Sequence, residues 1–478
     1  MIRYIVGSII MLEAALLLLP ILTAIVYGEW NTLRVFAGSA LFCIVAGALL
    51  RGKKPANTTI FSVEGYVSVA LCWVALSICG AIPLCVSGVL QNPFDAFFEI
   101  VSGFTTTGSS VMQSVEGAPR AILMWRSFSH WVGGMGVLVF MLALLPMAGP
   151  SSMHLMKAES PGPSVGKLVP KVRSTAKILY QIYFVLTVAM LVCMILTGCP
   201  LFDSINLTFA TAGTGGFGVL DSSAAEYGAA TQWVMTIFMI LFGVNFNVYF
   251  LFYVKRFKEG MKSEEARAYL GIIASAVLLI SVNIFYMVRN LELTVRQAAF
   301  QVASIITTTG FSSVDFDLWP EFSKGILVLL MFCGACAGST GGGMKVSRLC
   351  IMAKTVMKEL AFIIHPRNVR KTRFEGKTVE HEVLRSINVF LVAYLGIFVL
   401  SVMLISLDNF DFATNFTAVA ATLNNIGPGL AKVGPTQNFG IYSNFSKLVL
   451  AFDMLAGRLE IFPMLVPMIY LLRKKQLS

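Results

Sequence analysis

The chain has 478 residues, of which 56% are apolar and only 13% charged, with 36 Lys and Arg against 25 Asp and Glu for a net charge of +11. A soluble domain carries roughly 25% charged residues, so a water-solvated globular protein is excluded and lipid must cover most of this surface. The surplus positive charge is not a nucleic-acid footprint, because it clusters at 51–54, 157–177, 255–267, 345–377 and 473–475, in alternate connections between hydrophobic runs.

Arg3 and the apolar run behind it imitate a signal peptide. Glu13 interrupts the run, no convincing small-residue cleavage site follows and another apolar segment comes soon after, so it reads as an uncleaved first span. At about 20 residues per crossing, the candidate spans are 4–27, 35–50, 66–90, 122–149, 174–198, 230–254, 269–288, 323–353, 386–406 and 447–472. An even number of crossings and the basic connections put both termini on the cytosolic side. The first two spans form a helix pair over 1–60. The remainder divides into units 61–150, 151–258, 259–360 and 361–478, each a span, a half-length helix, a polar glycine-centred turn and a second span. The expected fold class is an all-α polytopic membrane protein with four pseudo-repeated span–pore-helix–filter–span units around one pore, plus the N-terminal pair.

The half-helices of units one and two begin at Pro93-Phe94-Asp95 and Pro200-Leu201-Phe202-Asp203, that of unit four near Phe410-Asp411-Phe412, and that of unit three less distinctly around Thr294. An early Asp suits the helix N-terminus, leaving the negative end pointing into the membrane, where it favours a cation. The turns that follow are Thr105-Thr106-Thr107-Gly108-Ser109, Gly213-Thr214-Gly215-Gly216-Phe217, Thr307-Thr308-Thr309-Gly310-Phe311 and Asn424-Asn425-Ile426-Gly427-Pro428-Gly429. Taking Gly108, Gly215, Gly310 and Gly427 as their centres, they recur 107, 95 and 117 residues apart. Irregular backbone cannot face lipid, so these turns must line a wet cavity or lie within protein. One such turn would be an ordinary loop, but four at this period read as the walls of one pore. Inward carbonyls can replace the hydration shell of a weakly hydrated cation, and the absence of carboxylates argues against calcium or magnesium. The candidate ion-binding residues are Thr106, Thr107, Gly108, Thr214, Gly215, Thr308, Thr309, Gly310, Asn425, Ile426 and Gly427.

With these turns, Ala158-Glu159-Ser160-Pro161-Gly162-Pro163, Gly338-Ser339-Thr340-Gly341-Gly342-Gly343-Met344-Lys345 and Gly457-Arg458-Leu459-Glu460, the whole chain resembles the Trk/Ktr/HKT superfamily of potassium transporters, specifically its TrkH-type pore-forming subunit. The resemblance implies a potassium-selective pore in the cytoplasmic (inner) membrane, a homodimer and a cytosolic nucleotide-binding regulatory partner of the TrkA type. Potassium at the filter residues is the only bound ion or cofactor implied.

Gly338–Lys345 also imitates a phosphate-binding loop, but Met344 separates Gly343 from Lys345 and no Lys-Ser or Lys-Thr pair follows. It interrupts the last span of unit three. The alternatives are a packing kink or, as the resemblance implies, an intramembrane gating loop comprising Gly338, Ser339, Thr340, Gly341, Gly342, Gly343 and Lys345. Arg458 lies mid-span, five residues from Asp453 and two from Glu460, so local helical pairing is poor. It either faces the pore or gating loop or pairs with an acid on another helix. Glu99 and Arg126 are expected to pair behind the first filter, and Glu13 to anchor the first helix pair. Cys333 and Cys336 read as small packing residues, and the four histidines have no metal-ligand spacing. The basic connections at 150–173 and 354–385 are candidate docking surfaces for the partner. The alternative function is an obligatory sodium- or proton-coupled symporter, which should carry a titratable carboxylate on the ion path. The turns hold none.

Overall fold

The computed structural model describes residues 1–53, 62–134, 136, 172–366 and 371–476. Within them, six helices are long and apolar enough to cross a membrane: Ile2–Val26, Trp30–Arg51, Val63–Val86, Lys177–Leu196, Glu264–Val288 and His381–Asp408. These are the N-terminal pair and the first span of each unit. Their outer faces expose Leu41, Leu49, Leu278, Val282, Val392 and Met403, the surface that lipid would cover. Small residues close the N-terminal pair: a Cβ on Gly7 would lie 2.7 Å from the Gly47 carbonyl oxygen.

The spans after the turns differ from expectation. Arg120–Gly134 is helical, and its expected continuation to 149 lies outside the described residues. The next is two helices, Ala229–Gly243 and Phe246–Tyr253, bent by 87°. The third is split into Glu321–Cys333 and Val346–Ile364, the fourth into Asn444–Arg458 and Phe462–Gln476. Only the third break was visible in the sequence. A hydropathy window averages across corners as short as Val244-Asn245 or Leu459-Glu460-Ile461, whereas the glycine run of unit three is long enough to register.

The half-helices are Pro93–Phe104, Leu201–Gly213, Leu291–Ile306 and Phe412–Leu423, of 12, 13, 16 and 12 residues. At 1.5 Å per residue they run roughly 18–24 Å and cannot cross a ~30 Å core. Asn92 caps the first, accepting from the Phe94 amide at 3.1 Å, with Pro93 at its first position. Asp411 caps the fourth through the Thr414 amide at 3.0 Å. The third starts at Leu291, earlier than Thr294, because Asn290 caps it through the Leu293 amide at 3.0 Å. The only β-strands among the described residues form a two-residue hairpin, Arg373–Phe374 against Lys377–Thr378, in the connection after the third unit.

Candidate functional site

All four half-helices end in the same closure. The Thr106 amide donates to Gly103 and the Thr107 amide to Ser102; the matching pairs are Thr214 to Thr211 and Gly215 to Ala210, Thr308 to Ile305 and Thr309 to Ser304, and Asn425 to Thr422 and Ile426 to Ala421. This is a Schellman cap, whose left-handed residue is usually glycine. Here that residue is Thr106, Thr214, Thr308 or Asn425, with φ between 56° and 58°. A β-branched residue at positive φ is strained, and strain of this kind collects at functional sites.

A second positive φ follows two residues later, at Gly108 (81°), Gly216 (81°), Gly310 (89°) and Gly427 (105°). This register corrects the sequence expectation that Gly215 is the central glycine of the second turn. Gly215 is the counterpart of Thr107, Thr309 and Ile426, and Gly216 is the missing member of the glycine set. Aligning the turns on Thr-x-Gly or Asn-x-Gly would have found it; centring on the first glycine of the doublet did not.

Contacts between the turns close a ring. A Cβ on Gly108 would lie 1.9 Å from the Gly215 carbonyl oxygen, one on Gly216 2.2 Å from that of Thr309, one on Gly310 2.0 Å from that of Ile426, and one on Gly427 2.9 Å from that of Thr107. Each glycine therefore abuts the carbonyl one residue earlier in the next unit, and the fourth returns to the first. Only glycine offers both the dihedral and the space. A cavity of about 170 Å³ opens over the ring, lined by Gly108, Gly216, Gly310, Gly427 and Pro428 among others. Threonine hydroxyls stiffen two of the turns, Thr105 with Thr107 at 2.8 Å and Thr307 with Thr309 at 2.7 Å. In the fourth turn Asn425 takes over this role across units, donating to Thr107 Oγ1 at 2.9 Å and to the Met454 carbonyl at 2.8 Å.

Charge stands behind the ring rather than in it. Glu99, fully buried, takes a 2.7 Å salt bridge from Arg126 and accepts from the Val111 amide at 2.9 Å and the Ser110 hydroxyl at 3.0 Å. Arg126 also covers the Phe217 ring at 4.0 Å, tying the first turn to the second. His130 does the same: its Nδ1 lies 2.7 Å from the Gly103 carbonyl and its Nε2 accepts from the Phe217 amide at 3.3 Å. Nothing in the sequence singled His130 out, since its role depends on two backbone groups from different units.

Residues Gly338–Lys345 run along the pore-helix side of the ring. A Cβ on Gly341 would lie 2.9 Å from the Thr307 carbonyl oxygen, and one on Gly342 2.6 Å from that of Asn424. The Gly342 amide donates to Thr308 Oγ1 at 2.6 Å, so one strained threonine of the ring holds this segment. Lys345, buried and with φ 74°, folds its ammonium back onto the Gly341 carbonyl. Ser339 closes onto the Cys336 carbonyl at 2.7 Å, Thr340 Oγ1 reaches the Phe242 carbonyl at 3.3 Å, and the Gly338 carbonyl accepts from the Phe246 amide at 3.0 Å.

Arg458 joins this segment to two other units. Its Nη1 donates to the Thr340 carbonyl at 2.7 Å, and its Nη2 to the Gly133 and Gly134 carbonyls at 2.6 Å each. Its sequence neighbours are engaged elsewhere, Asp453 with Ser401 at 2.7 Å and Glu460 with Arg348 at 2.5 Å. The sequence also gave no sign of Glu265. Its carboxylate accepts from the amides at both ends of the glycine segment, Ala337 at 2.6 Å and Ser347 at 3.1 Å, and from Asn245 Nδ2 at 3.1 Å in the bend of unit two. The Glu265 amide in turn donates to the Glu375 carboxylate at 3.0 Å, in the turn of the hairpin after the third unit.

Comparison with known proteins agrees with this architecture. The TrkH cation transport protein family model matches residues 32–478. The Trk system potassium uptake protein TrkH of Salmonella typhimurium is 34% identical over 472 residues, covering 97% of this chain and 96% of its own. TrkH of Vibrio parahaemolyticus is 35% identical over 477 residues, with coverage of 97% and 96%, and TrkG of Escherichia coli K12 is 30% identical over 465, covering 96% of each. The crystal structure of the potassium transporter TrkH from Vibrio parahaemolyticus superposes with a TM-score of 0.87 at 32% identity over 97% of both chains. The chain therefore belongs to the TrkH family of cation transport proteins, a family of multi-pass membrane transporters and not of enzymes.

Proposed function

We propose that this chain is the pore-forming subunit of a potassium uptake system, conducting potassium through the four-turn ring and opened by displacement of Gly338–Lys345. The observation that carries the reading is the closed ring of glycines and neighbouring carbonyls, contributed by four units and free of acidic side chains. The relatives' printed names, potassium uptake proteins of the Trk system, support potassium as the ion. Ring carbonyls replace the ion's hydration shell. The four half-helices aim their negative ends at the same place, adding a field that favours a cation without binding it as tightly as carboxylates would. A monovalent ion then leaves as readily as it enters.

On this reading Gly338–Lys345 is the gate and Arg458 its latch. A positive charge within roughly 8 Å of the path costs a cation about 2 kcal/mol at an effective dielectric near 20. Arg458 thus works twice, as a barrier and as a clamp on Thr340. The assembly is a homodimer in the cytoplasmic membrane with both termini inside. A cytosolic nucleotide-binding partner of the TrkA type docks on the inner connections; that at 150–173 lies almost wholly outside the described residues.

The test is potassium flux in proteoliposomes under an imposed voltage, with no second ion gradient. Voltage-driven potassium flux exceeding sodium flux is expected, rising when residues 338–343 are deleted. Flux that requires a sodium or proton gradient would establish the coupled symporter instead, and unchanged flux in the deletion would remove the gate.

A further inference from the structure

Away from the ring, Glu13, Cys43 and Cys79 converge from three different helices, Ile2–Leu16, Trp30–Arg51 and Ser62–Val86. One carboxylate oxygen and the two sulfurs all lie within 4.8 Å of one another. Glu13 and Cys43 are fully buried and Cys79 is 6% exposed. Neither carboxylate oxygen of Glu13 has a hydrogen-bond partner among the described residues. Glu13 sits near the middle of a 25-residue span, where a bare carboxylate is costly and is ordinarily paired or given a function.

We propose that Glu13, Cys43 and Cys79 form a site for a thiophilic divalent cation of the zinc class. Two sulfurs and one carboxylate oxygen are a donor set that selects a soft or borderline metal over potassium, magnesium or calcium. A tetrahedral site with ~2.3 Å zinc–sulfur arms has edges of about 3.8 Å, so the three donors need to contract by no more than about 1 Å. Glu13, fully buried and without a hydrogen-bond partner among the described residues, carries its proton before a cation binds. Binding displaces that proton and the thiol protons of Cys43 and Cys79, so three protons leave per cation bound. The cluster goes from neutral to a single negative charge, shared among three donors and held against the cation.

The position gives such a site a consequence. A Cβ on Gly80, next to Cys79, would lie 2.9 Å from Glu13 Oε1 and 3.0 Å from both Ile100 and Phe104 of the first half-helix. Trp125 of the following helix donates to the Gly80 carbonyl at 3.0 Å. Metal bound here ties the N-terminal pair to the scaffold that ends in the first turn. Because the site is enclosed, the metal enters as the chain folds.

The experiment is elemental analysis of the full chain purified after expression in zinc-supplemented medium, beside Cys43→Ser, Cys79→Ser, Glu13→Gln and the control Cys193→Ser. About one zinc per chain is expected in the parent and the control, with loss in both site cysteine variants and a reduced content in Glu13→Gln. Should the site variants not fold, X-ray absorption on the unsubstituted protein decides alone: two sulfur neighbours at about 2.3 Å support the site. Folded parent protein without zinc, zinc content equal in all four variants, or a zinc shell lacking sulfur would each overturn it.

Discussion

In the ring the four units repeat one another closely, whereas in the layer beneath it the second helices of units two, three and four share a position of interruption and little else. The four left-handed caps agree to within 2° in φ, and the inter-unit contacts run in one direction around the circle. Below, the interruption is a two-residue corner in unit two, three residues in unit four and the whole of Gly334–Lys345 in unit three. Selection needs carbonyls at similar distances from every side, which only near-symmetry supplies. Control needs a single obstruction, and one unit can supply it by breaking that symmetry. Damage to the ring should therefore abolish transport, and damage beneath it should release transport.

The largest effect is expected from Gly310→Ala. Its φ of 89° costs an L-residue about 1–2 kcal/mol, and its Cβ would displace the Ile426 carbonyl, itself part of the ring. Tracer potassium uptake by reconstituted protein should fall to background. Normal uptake would show that the ring is not the ion path. Next in size is Glu99→Gln, which strands the Arg126 charge in a buried site. Breaking a buried pair from one side typically costs about 3–5 kcal/mol, so the melting temperature in detergent should drop sharply, and adding Arg126→Met should restore part of it. An unchanged melting curve would mean that the pair does not brace the first turn.

These two sites also show what the sequence could convey. The polar turns were legible because exposed backbone amid lipid-facing sequence has few explanations, and the Glu99–Arg126 pair because two charges in apolar stretches need each other. The register of the second turn was ambiguous at Gly215-Gly216, where composition offers two glycines and only dihedrals choose. The helix corners after the turns escaped because two or three residues scarcely alter a hydropathy average. His130, Glu265 and the Glu13–Cys43–Cys79 cluster escaped for another reason. Each depends on residues far apart in the chain that the packing of separate helices brings together, and no local spacing announces such a meeting.

Beneath the ring, Arg458→Ala should increase voltage-driven potassium flux by tens-fold, matching removal of a barrier of about 2 kcal/mol. Arg458→Lys should give a smaller rise. An ammonium keeps the charge but lacks the planar fork that lets one guanidinium hold Thr340 together with Gly133 and Gly134. Equal flux in parent and Arg458→Ala, measured at matched protein content, would leave Arg458 a structural clamp only.

A smaller effect, and the one that separates gating from folding most cleanly, is expected from Glu265→Gln. The amide has nearly the same shape and can still accept from Ala337 and Ser347, but the hydrogen bonds lose their charge assistance, which roughly doubles the strength of such bonds. A loss of about 1 kcal/mol in the closed arrangement corresponds to a roughly fivefold rise in basal flux. Glu375→Gln removes charge one step further out, from the carboxylate that receives the Glu265 amide, and should give a weaker rise in the same direction. A flux increase without a change in melting temperature would identify Glu265 as a positioning residue of the gate, reached from the hairpin that carries Glu375. A fall in melting temperature at unchanged flux would assign the carboxylate to the fold alone, leaving Arg458 to hold the gate by itself.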